Sequence, residues 1–138
     1  MRESTPLVSF ERRFQLWAYG VSHAQMLLRS NKSDDAPTRI DVLFKGVAAF
    51  ELPTAFQGLA IAEASWDEAS GLGVQLGLGS ATGRKLFAIR GQKFCGYVAA
   101  SAVFWHEDSG AYHGPSYFRD APAAHYGDAQ PWPDWEAP

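Results

Sequence analysis

Seven consecutive residues, Arg39-Ile40-Asp41-Val42-Leu43-Phe44-Lys45, constrain the fold more than any other stretch of the chain. Ile40, Val42 and Phe44 fall on one side of an extended backbone, and Arg39, Asp41, Leu43 and Lys45 fall on the other. A helical period would scatter these apolar residues around the axis, whereas a period of two gathers them on one face. The segment is therefore a strand with one face in a core and the other mostly wet. Related alternations recur along the chain. In Arg12–Ser22, Phe14, Leu16 and Ala18 oppose Arg13, Gln15, Trp17 and Tyr19, with Gly20 as a bend. In Ala24–Ser30, Met26 and Leu28 oppose Gln25, Leu27 and Arg29, and the short gap before this segment fits an antiparallel hairpin.

Residues 31–37 read as a polar turn. After Gly46 the chain resumes an extended path over Val47–Leu52, and Pro53 ends it because proline has no ladder donor. Leu59–Ala62, Val74–Leu78, Lys85–Ile89 and Phe94–Phe104 complete the strand series, the last two as a hairpin around Arg90-Gly91-Gln92. Ala62–Ser70 fits a short helix closed by Gly71 and a strand end equally well. Strands without regular intervening helices argue against a parallel α/β design. The fold expected is mainly β: an antiparallel meander of about six to eight strands forming a small sandwich or partly open barrel, with at most one short helix.

A chain of 138 residues suits one domain, and 46% hydrophobic with 20% charged residues excludes the composition of a disordered chain. The longest apolar stretches are too short to cross a bilayer as a helix. The first residues, Met-Arg-Glu-Ser-Thr-Pro, carry no secretory pattern, so a cytoplasmic location is the expectation. The single cysteine, Cys95, builds neither an intramolecular disulfide nor a thiolate metal site, and it reads as a small buried residue.

The net charge of −3 is unevenly spread. Arg84, Lys85, Arg90 and Lys93 lie in a stretch without acids, while Asp120, Asp128, Asp134 and Glu136 lie beyond the last basic residue, Arg119. Residues 1–110 form the expected β-rich domain. Residues 111–138 form an extended C-terminal arm rich in proline and aromatics, which exclude a long helix and suggest docking on the same domain.

Nucleotide motifs fail on spacing. Gly71, Gly73, Gly77 and Gly79 lack the glycine a dinucleotide fingerprint needs at position 76, and Gly79–Lys85 lacks P-loop spacing. Adjacent Ser22 and His23 would point to opposite faces of a strand, so a hairpin turn accounts for them better than a nucleophile and its base. His106 and Asp108 would share a face, within reach of acid–base work or of a metal that His113 completes, although no helical metal-binding spacing is present. No cofactor is implied. Basic residues interleaved with Phe87, Phe94 and Tyr97 suit a nucleic-acid strand, but a mildly acidic chain makes that partner disfavoured against a solvated hairpin. Arg39, Asp41 and Lys45 read as surface charges paired across strands.

The run Phe44-Lys45-Gly46-Val47 leading into Leu52-Pro53 resembles small bacterial β-proteins, among them immunity proteins of contact toxins. That resemblance covers about a third of the chain and implies an immunity-protein-like protein. The function expected is a non-enzymatic protein-binding module, with a protein partner or self-association and Trp17, Tyr19, Trp132 and Trp135 as contacts. The rival expectation is a small enzyme or ligand carrier with a pocket inside the curled sheet, using His106 and Asp108.

Overall fold

The structure, a computed structural model, describes residues 6–66, 83–118 and 121–122. The expected strand Val74–Leu78, most of the Ser80–Gly83 turn, and Trp132 and Trp135 lie outside the described residues. Eight strands form one antiparallel sheet: β1 (Val8–Gly20), β2 (Gln25–Ser30), β3 (Arg39–Lys45), β4 (Ala49–Glu51), β5 (Ala55–Ala64), β6 (Lys85–Arg90), β7 (Cys95–Ala100) and β8 (Ala102–Asp108). There is no helix among the described residues, and Ala62–Ala64 is strand. Accordingly, none of them forms a helix long and apolar enough to cross a membrane.

The spatial order is β4-β7-β6-β5-β1-β2-β3-β8, so two three-stranded meanders, β1-β2-β3 and β5-β6-β7, join through the β1–β5 pair. The sheet does not close into a barrel. Its edge strands, β4 and β8, continue β3 and β7 around two opposed corners. Gly46, at φ +65°, turns one corner against Ser101 at the other. The Ser101 N–H donates to the Lys45 carbonyl at 2.8 Å, and Ala48 donates to Ala99 at 2.8 Å. Strands that turn corners in this way curl a single sheet around a core.

Phe14, Met26, Leu28, Ile40, Val42, Phe44, Phe56, Leu59, Ile61, Phe87, Ile89 and Val98 fill that inner side as one buried cluster. Each fully buried side chain of this size contributes roughly 1.5–3 kcal/mol relative to exposure. The Ile40/Val42/Phe44 alternation faces this core, as its period requires. Arg12 lies at one end of the curl, where its guanidinium donates to Ser30 Oγ at 3.1 Å and to Thr38 Oγ1 at 2.8 Å.

Three expectations change. A β-bulge between Leu16 and Ala18 shifts the register of β1, so Trp17 and Ala18 both pack on the outer side, and the simple alternation ends there. The opposite face of β3 is not wet. Arg39 and Asp41 are each 2% exposed and Leu43 is fully buried, because a second layer of chain covers them. Cys95 is exposed, at the start of β7 opposite Arg90.

Candidate functional site

The covered outer face belongs to β1, β2, β3 and β8. Hairpin register brings Arg29 opposite Asp41, and the next pairing brings Asp41 opposite His106 and Arg39 opposite Asp108. Arg29, 1% exposed, grips Asp41 with two bonds, Nε to Oδ1 at 2.7 Å and Nη2 to Oδ2 at 3.0 Å. Two parallel N–H···O bonds are the strong geometry for a carboxylate, and they offset part of the cost of burying both charges.

The covering layer is a strap, residues 110–118, held mainly through its own backbone. Arg29 Nη1 donates to the carbonyls of Tyr112 and Gly114, both at 3.0 Å. Arg39 donates to the carbonyls of Ala111 at 2.8 Å, Gly114 at 3.1 Å and Pro115 at 3.0 Å. Arg39 also contacts Asp108, Nη2 to Oδ2 at 3.3 Å and Nε to Oδ1 at 3.3 Å, the latter an ion contact without hydrogen-bond alignment. The rigid fork of a guanidinium serves several carbonyls at once, which a lysine ammonium does less well.

Aromatic packing completes the layer. Trp17 is buried, with the Arg29 guanidinium carbon 5.1 Å from its ring centroid, Tyr112 edge-on at 5.5 Å and His113 stacked at 5.7 Å. Phe118 and Ala121 pack with Trp17, Leu27 and Leu43. Tyr117 stacks on His106 at 3.6 Å. Trp17 is thus the floor under the strap, while Tyr19 is exposed beside Phe50 at 6.4 Å.

His106 and Asp108 share a face, but it is the outer one rather than the inside of the curl. His106 Nε2 lies 3.9 Å from Asp108 Oδ2, beyond hydrogen-bond range. Asp108 accepts instead from the Gly110 N–H at 2.8 Å. Partial burial raises the Asp108 pKa, but the Gly110 bond, Arg39 and the neighbouring His106 outweigh it and leave the carboxyl below its ordinary value. His113 faces Trp17, and no three His, Cys, Asp or Glu side chains among the described residues are grouped to hold a metal. The inner side, where the pocket expectation placed a ligand, is filled by the apolar cluster.

In the basic hairpin, Phe87 is buried in the core with Phe94 packed against it, and Arg84 Nε donates to the Gly46 carbonyl at 2.9 Å. Lys85 lies 3.9 Å from Glu63. Sequence reasoning missed Arg29, Arg39 and Asp41 as a buried network. The available signal was the hairpin around residues 31–37, whose register sets Arg29 opposite Asp41.

The second feature is the edge of β8. Among the described strands it pairs with β3 alone, and it carries an exposed aromatic on each face: Phe104 on the strap side and Trp105 on the other. It contains neither proline nor lysine, and its two acids, Glu107 and Asp108, lie at its end, leaving Ala102–Trp105 without a charge to blunt the edge. The other edge, β4, spans three residues and ends two residues before Pro53. Fold and site together define a mainly β protein, one antiparallel sheet curled about an apolar core and strapped across its outer side. Compared with protein-family models, with curated proteins and with solved structures, the chain matches none.

Proposed function

We propose that the protein is a non-enzymatic binding module that takes an extended segment of a protein partner onto the edge of β8. The observation that carries this reading is the seven-residue edge strand with Phe104 and Trp105 exposed on opposite faces. An added strand gains main-chain hydrogen bonds from the side of β8 away from β3, where no other described strand pairs, and side chains flanking that edge select its sequence. Aromatic side chains supply much of the energy of such contacts. Trp17 is spent on the strap, so of the aromatics first considered as contacts and described in the structure, only Tyr19 remains exposed.

The test places a photoreactive residue at position 105 in the protein's own cells, with the same residue at exposed Gln57 on β5 as control. A protein adduct, to another chain or to a second copy, is expected at 105 and not at 57. Absence of an adduct at 105, or identical adducts at both positions, would remove the reading.

A further inference from the structure

Resting on that reading, we infer that the strand added to β8 is the β8 of a second copy, paired antiparallel about a two-fold axis at Trp105. The argument is one of register. Trp105 is the central residue of Ala102–Asp108, so an axis there uses all seven residues of the strand. Trp105 then faces the second copy's Trp105, Phe104 faces His106, Val103 faces Glu107 and Ala102 faces Asp108. No like charges meet, and the two acids of each copy fall opposite small or apolar residues.

Displaced axes are worse. An axis at His106 sets two imidazoles opposite each other and Phe104 opposite Asp108. One at Glu107 sets two carboxylates opposite each other, a destabilising pair across strands. One at Phe104 carries Asp108 past the Ser101 corner, beyond the partner strand's end. Directly opposed residues in an antiparallel pair share a face, so the Trp105 pair packs on the side away from the strap, and the two Phe104–His106 pairs pack on the opposite face, the strap side. His106 already stacks on Tyr117, so each Phe104 of the second copy meets a ring held in place. A C2 arrangement needs such a self-complementary patch, and it joins two sheets into one.

Residue 105 meeting itself provides the test. Sedimentation velocity of the wild-type chain, from low micromolar to several hundred micromolar, is expected to show a concentration-dependent dimer. Trp105→Lys and Trp105→Glu, each folded by circular dichroism, are each expected to weaken it by about tenfold or more. An equimolar mixture of the two variants is expected to regain dimer, because opposite charges then face each other across the axis. A wild-type chain that stays monomeric throughout, or a mixture no more dimeric than either variant alone, would overturn the self-pairing. If the position-105 adduct in cells were at the same time to another protein, strand addition would stand and only the choice of partner would fall.

Discussion

Gly110 and Gly114 show how closely the strap approaches Arg39. A Cβ at Gly110 would overlap the Arg39 guanidinium itself, a group fixed by Asp108 and three carbonyls. A Cβ at Gly114 would instead meet Ala111 and Arg39 Nη1 at 3.4 Å, close to ordinary contact. Gly110→Ala is therefore expected to cost about 1–3 kcal/mol, in the range of overpacked sites, and Gly114→Ala distinctly less. Urea unfolding of both variants checks the order; equal midpoints would mean that the strap does not lie as described. The same scale explains why Arg29 and Arg39 escaped a reading by residue type. A charged residue on a strand is ordinarily on the wet side, and only its partners identify it as buried.

At the scale of elements, the strap and β8 form a unit joined through Asp108. Because the folded carboxyl titrates below its ordinary value, it contributes stability that is fully present above the unfolded pKa, near 4. That contribution is lost as pH falls through the lower folded pKa. Asp108→Asn is expected to be less stable than wild type at neutral pH, with the gap closing once the pH is below both values. Denaturation midpoints from neutral pH down to about pH 2 read this directly, and a gap that stays constant with pH would contradict it. The strap also shows how an aromatic segment containing Pro115 docks without strand pairing. Its carbonyls are served by arginine side chains, which do not require the register a sheet edge would impose.

For the whole molecule, the corners at Gly46 and Ser101 allow one sheet to enclose its core while leaving β4 and β8 as edges. Gly46→Ala places a side chain at φ +65° against the Ser101 hydroxyl, with an expected loss of about 1–3 kcal/mol. Adding Ser101→Ala is expected to recover the steric part and leave the backbone part. Thermal unfolding of the single and double variants separates the two, and no recovery would show that Ser101 is not the obstacle.

Strand identity was largely legible because it depends on short-range periodicity. Arg39–Lys45 alternates over a full strand, so β3 has the bounds its pattern marks, and the Lys85–Ile89 segment falls within β6. The run Phe44-Lys45-Gly46-Val47 reads as a strand followed by an interruption, and the structure shows a sheet corner at that place. The sequence by itself determined a mainly β antiparallel fold, the inward face of β3 and the breaks at Gly46 and Pro53, since each follows from neighbours within a few residues. Only the tertiary structure decided that the other face of β3 is buried, that a bulge at Trp17 shifts the register of β1, and that His106 and Asp108 stand outside the curl beside Arg39. Those facts depend on which distant segments meet: the strap reaches Arg29 from more than eighty positions away, and no local pattern records that contact.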